Sequence, residues 1–255
     1  MVVAVCFGLV IGSFLNVVVW RVPRGESVVR PPSHCPGCDR EIRGRDNVPV
    51  LSWLLLRGKC RDCRTSISAR YPLVEALTGA LFGLVAWRIG LHWQLAGFLY
   101  LVAVGIALSF IDLDTKRLPN ALTLPSYVVG AVLLSAAALL EHEPSRLLRA
   151  GVGMVALYAL YFVLMSVRRG GMGFGDVKLA GVLGMFLGFL GWGPLVVGAF
   201  LAFLLGGVGG IGLMLFGGVG RKARIPFGPY MVAGAVVAVM AGHELAHAYT
   251  HAIGL

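Results

Sequence analysis

The stretch Trp93-Gln-Leu-Ala-Gly-Phe-Leu-Tyr-Leu-Val-Ala-Val-Gly-Ile-Ala-Leu-Ser-Phe-Ile111 carries no charge and stops at Asp112-Leu-Asp114. About 20 apolar residues in a helix rising 1.5 Å each cross the hydrocarbon core of a bilayer. This run therefore reads as a membrane span that ends on carboxylates. Similar runs lie at Val2–Trp20, Pro72–Trp87, Ala121–Leu140, Val152–Val167, Val177–Leu190, Leu195–Phe216 and Tyr230–Tyr249. The expected fold is an all-α polytopic membrane protein of about eight helices. Composition agrees: 58% of the 255 residues are hydrophobic and 13% charged, against about 45–50% and 25% in a soluble domain. The 36 glycines suit close helix packing in lipid. The first run lacks a basic leader and a small-residue cleavage site, so it reads as a retained span.

The net charge of +10 would suit nucleic acid, but its distribution does not. Nineteen of the 22 Lys and Arg fall in alternate connections: residues 21–71, 112–120, 168–178 and 217–228. The opposite connections hold only Arg88, Arg146 and Arg149. The positive-inside rule places the basic set in the cytoplasm and both termini outside. No nucleic-acid partner is expected. The sequence divides into a first span (1–20), a polar segment (21–71) and a seven-helix membrane domain (72–255).

The polar segment carries Cys35-Pro-Gly-Cys38 and Cys60-Arg-Asp-Cys63, separated by 21 residues. Two such pairs suit a tetrahedral four-cysteine zinc site. Two disulfides or redox dithiols are the alternatives, and a reducing cytosol disfavours the disulfides. Four thiolates leave no open coordination position, so the zinc is expected to be structural. His34 is surplus to that set, and Cys6 in the first run reads as a packing residue.

Acids at membrane depth are costly and suggest function. Asp112 closes one run, in Asp112-Leu-Asp-Thr-Lys-Arg-Leu-Pro-Asn120; Asp176 opens another, in Gly171-Met-Gly-Phe-Gly-Asp-Val-Lys178. Two carboxylates within a few ångströms do not ionise together easily and share a proton. The ionised member can activate water while the protonated one polarises a peptide carbonyl. On these grounds alone, interfacial charges paired with Lys116, Arg117 or Lys178 explain the two acids equally well. Asp114 is a rival to Asp112. In a continuing helix a step of two residues turns a side chain by about 200°, so the two cannot face one partner.

Together these segments resemble the bacterial prepilin peptidase family, the type IV leader peptidases. The resemblance runs through Gly12-Ser-Phe-Leu-Asn-Val-Val18, Asn47-Val-Pro-Val-Leu-Ser-Trp53, Leu56-Arg-Gly-Lys-Cys60 and Ile67-Ser-Ala-Arg-Tyr-Pro-Leu-Val-Glu75. It continues in Asp112 with Leu118-Pro119-Asn120 and in Gly173-Phe-Gly-Asp-Val-Lys178. It implies a bifunctional enzyme of the bacterial inner membrane. Such an enzyme cleaves the basic leader of type IV prepilins or type II secretion pseudopilins at the cytoplasmic boundary. It then methylates the new N-terminus with S-adenosylmethionine. The resemblance assigns proteolysis to Asp112 and Asp176, with Asp112 favoured over Asp114 by its spacing to Pro119. It links methylation to Gly58 and Lys59, with Glu75 a further candidate. Lys178 is read as attracting an acidic substrate residue or tuning Asp176.

Three other functions are weighed. One is an intramembrane aspartic peptidase without methyl transfer. Another is a small transporter using the acids as a proton relay, which acids at one membrane edge disfavour. The third is a scaffold that binds a secretion partner.

Overall fold

The computed structural model describes residues 1–167, 172–216 and 225–254. Arg168, Arg169 and Gly171, and the basic Arg221, Lys222 and Arg224, lie outside the described residues. Among the described residues the chain forms nine α-helices and no named strand. It divides into two compact units, Met1–Arg88 and Ile89–Leu255.

The first unit holds α1 (Val2–Arg21), the single-turn α2 (Leu51–Leu55) and α3 (Arg70–Ile89). α1 and α3 meet through small residues. A Cβ at Gly8 would lie 2.8 Å from Gly79 Cα, and one at Gly12 would lie 2.7 Å from Glu75 Cα. Lipid offers no hydrophobic drive for helix pairing, so this close approach supplies the contact. The chain leaves α1 through a short 3₁₀ turn, Val22–Arg24. The buried Arg21 guanidinium folds the next stretch back by donating to the carbonyls of Ser27 (3.0 Å) and Pro31 (2.7 Å). Cys6, expected to pack, is instead exposed on α1.

The second unit holds α4 (Leu95–Thr115), α5 (Asn120–Leu140), α6 (Ser145–Val167), α7 (Phe174–Leu190), α8 (Trp192–Phe216) and α9 (Gly228–Ala252). Every residue from Leu179 to Phe189 of α7 is buried. A helix apolar on all sides takes the centre of a bundle. Glycines bring α6 against it: a Cβ at Gly153 would lie 3.1 Å from Gly188 Cα, and one at Gly184 would lie 3.1 Å from Leu157 Cβ.

Among the described residues seven helices are long and apolar enough to cross a membrane. α7, with 17 residues, is the eighth apolar helix and the shortest of them. Two boundaries differ from the sequence reading. α6 starts at Ser145 rather than Val152, so Arg146 and Arg149 sit on the helix and not in a loop. Arg146 binds Glu143 (2.6 Å) and Glu141 (3.1 Å), which lets a polar first turn join the helix. The gap left between the runs Val177–Leu190 and Leu195–Phe216 shrinks to Gly191 (φ 151°), because Pro194 fits the first turn of α8, where no N–H is needed.

Candidate active site and metal centre

α4 ends because Lys116 takes a left-handed conformation (φ 52°) and returns its N–H to the Asp112 carbonyl at 2.8 Å. This leaves Asp112 on the last turn, buried, while Asp114 two residues on is exposed. Asp112 Oδ2 accepts the N–H of Gly228, the first residue of α9, at 2.9 Å. Helix N-termini carry unpaired N–H groups, and here a carboxylate from a distant helix satisfies one.

Asp176 lies in the first turn of α7. Its Oδ2 accepts the Gly173 N–H at 3.0 Å, and its own N–H donates to the Gly173 carbonyl at 3.1 Å. Buried Leu118 packs against the first turn of α7, which carries Asp176, and against Gly228, which holds Asp112. A Cβ on Gly175 would lie 2.9 Å from Leu118 Cβ. One on Gly228 would lie 3.4 Å from Leu118 Cδ2 and 2.9 Å from Asp112 Oδ2. Asp176 is within electrostatic reach of Asp112 and of buried Tyr161 in α6. Among the described residues each carboxylate has Oδ2 held by a backbone N–H, and no hydrogen bond engages Oδ1. Among the described residues both carboxylates are thus held through Oδ2 alone.

Lys178 is already engaged. Its Nζ donates to Asn120 Oδ1 at 2.7 Å and sits 4.7 Å from the Phe174 ring centre, tying the start of α5 to the first turn of α7. Sequence reading missed Gly228 and Tyr161. Pro226-Phe-Gly-Pro229 before the last span was a visible sign of a helix start, but nothing in it pointed at Asp112. Tyr161 packs against Phe203 and Phe227 and shows no periodic signal.

In the first unit the four cysteine Sγ atoms lie within 4.8 Å of one another. All four are free thiols, with Cys35 and Cys63 sulfurs 3.6 Å apart, so no disulfide forms. Each CxxC builds the same knuckle. Cys35 N–H bonds Arg40 O and Asp39 N–H bonds Cys35 O; Cys60 N–H bonds Thr65 O and Arg64 N–H bonds Cys60 O. Asp39 and Arg64 supply the left-handed residue of each turn (φ 57° and 61°).

Hydrogen bonding with the Thr65 hydroxyl, then with its backbone, brings the Cys63 thiol down to about 6. Cys38 goes the other way, to about 11: the Arg40 backbone lowers it, but burial and the neighbouring thiols of Cys63 and Cys35 prevail. A cation at the centre removes that conflict. The donor set therefore fits a metal held by four thiolates.

The three residues expected from the sequence to serve methylation take distinct places. Gly58 adopts φ 66° beneath the Trp53 ring, where a Cβ would lie 2.9 Å from Cζ2. Buried Glu75 accepts the Val50 N–H at 2.7 Å, fastening the start of α2 to α3. Lys59 lines an open recess of about 430 Å³ with Leu55, Leu56, Arg57, Arg61 and Arg64.

Residues 6–89 match the family described as Bacterial Peptidase A24 N-terminal domain, and residues 98–211 match the Type IV leader peptidase family. The chain is 36% identical to a protein of Stutzerimonas stutzeri named prepilin leader peptidase/N-methyltransferase, over 96% of this chain and 92% of that one. It is 40% identical to a protein of that name from Neisseria gonorrhoeae, over 89% and 85%. A further relative of that name, from Aeromonas hydrophila, is 38% identical over 95% and 91%. No solved structure matches the chain.

Proposed function

The chain belongs to the type IV leader peptidase family, and from that premise we propose that it is a bifunctional prepilin leader peptidase and N-methyltransferase of the bacterial inner membrane. Its substrates are type IV prepilins or type II secretion pseudopilins, cut at the cytoplasmic boundary of the bilayer. The observation that carries the proteolytic role is the backbone clamp on Asp112 and Asp176, which engages Oδ2 of each and, among the described residues, leaves Oδ1 of each without a hydrogen-bond partner.

The ionised carboxylate takes a proton from water, and the water oxygen adds to the scissile carbonyl carbon. The protonated carboxyl gives its proton to the carbonyl oxygen. Collapse of the tetrahedral species then breaks the C–N bond, and the amine leaves with a proton returned by the pair. No metal or covalent intermediate is required.

Cys35, Cys38, Cys60 and Cys63 would hold zinc as a structural clamp. S-adenosylmethionine supplies an electrophilic methyl to the new amine. Gly58 and Glu75 serve the scaffold, and the recess beside Lys59 is lined by four cations and no acid. That lining does not fit a donor bearing a sulfonium and an ammonium, so no methyl-transfer step is drawn through it.

Purified protein and a prepilin test the peptidase reading. Asp112→Asn and Asp176→Asn should each slow cleavage by about 10²–10⁴-fold, whereas Asp114→Asn should cut at near the wild-type rate. Normal cleavage by either of the first two variants would overturn the assignment. Methylation of a pre-cleaved pilin peptide by the same variants reads the second activity separately.

A further inference from the structure

We propose that α2 and the basic turn after it form a docking surface for anionic phospholipid, with a headgroup phosphate seated among Arg57, Lys59 and Arg64. The helix is turned inside out for water. Ser52 is buried and Trp53 Nε1 donates inward to the Ile67 carbonyl at 3.0 Å, whereas Leu51, Leu54 and Leu55 are 52%, 58% and 73% exposed. Apolar residues ringed by cations mark an interfacial segment.

The cations lie in the recess that Leu55 and Leu56 also line. Arg61 grips Asp46, with Nη2 to Oδ1 at 2.6 Å, while Arg40 and Arg43 share Asp62. Those acids are thereby used up. Among the described residues no ion pair engages Arg57, Lys59 or Arg64.

The bilayer is the occupant that the chain's own layout brings near. The segment is tethered at both ends to the apolar helices α1 and α3. Arg64 is six residues before Arg70, the start of α3, a reach of about 20 Å at most. A second copy would set three uncompensated cations against three, and a soluble anion would leave the leucines in water. Only an anionic lipid answers both the apolar and the basic parts of this face.

The test uses the full-length protein with a photo-crosslinking benzoylphenylalanine in place of Leu55. It is reconstituted in nanodiscs of phosphatidylcholine alone or in an equal mixture with phosphatidylglycerol. Mass spectrometry after irradiation should find lipid adducts, several-fold more in the mixed discs. Arg57→Glu with Arg64→Glu should remove that excess, at about fivefold per arginine, while metal content stays unchanged. Raising the salt concentration should erode the same excess without any substitution. Inorganic phosphate should leave it untouched. Adducts to protein alone, a lipid yield indifferent to headgroup charge, or displacement by inorganic phosphate would each overturn the proposal.

Discussion

The cysteine-bearing segment and the helix pair α6–α7 reach order by opposite means. Residues 22–69 have few buried side chains. They are held by Arg21 on two carbonyls, Arg61 on Asp46, Glu75 on the Val50 N–H and four converging thiols. Among the described residues α6 and α7 rest on glycine against backbone. The first region needs specific atoms at specific points, with four thiols placed where they could take a metal. The second needs only the absence of side chains along one stripe. A polar frame fails when one ligand is removed, and a glycine seam fails when one carbon is added.

The largest effect should follow from breaking the thiol cluster. Structural zinc binding is worth about 10–16 kcal/mol in small metal domains. Cys60→Ser with Cys63→Ser should therefore abolish metal content and expose residues 22–69 to limited proteolysis. Unchanged protection of α6–α7 in the same digest sharpens the contrast, and its loss breaks it.

Next comes the seam. Gly184→Leu forces a side chain against Gly153 and Leu157. It should cost about 3 kcal/mol or more, since overpacking here meets backbone that cannot rotate away. Thermal unfolding in detergent measures it, with metal content as the untouched comparator.

A smaller change, Gly228→Ala, puts a carbon 2.9 Å from Asp112 Oδ2. Displacing a positioned carboxylate by a fraction of an ångström should slow prepilin cleavage by about 10–10²-fold, with little loss of folded protein. Trp53→Phe is the mildest. It removes the bond to the Ile67 carbonyl and should cost about 1 kcal/mol, seen as faster proteolysis near α2 with metal retained.

Much of the site was legible before any coordinates. Asp112 and Asp176 stood out because acids beside apolar runs are rare and expensive. The four cysteines stood out because their spacing suits one metal. Three things were not legible. Lys178, read as attracting an acidic substrate residue or tuning Asp176, donates to Asn120, and such a pairing depends on how α5 meets α7. Glu75, read near methyl transfer, fastens Val50, a contact between residues 25 apart. Arg146 was read as a loop residue but lies on α6, because Glu141 and Glu143 neutralise it there.

The sequence alone determined that the chain is a helical membrane protein with carboxylates at helix ends and a four-thiol segment. Those conclusions rest on local quantities: run length, charge and spacing. Only the tertiary structure decided that the α9 N-terminus holds Asp112, that Leu118 lies between the first turn of α7 and the α9 N-terminus, and that α2 shows its leucines outward. Each of these depends on which faces of distant segments meet, and the identity of a residue does not encode the direction from which its partner arrives.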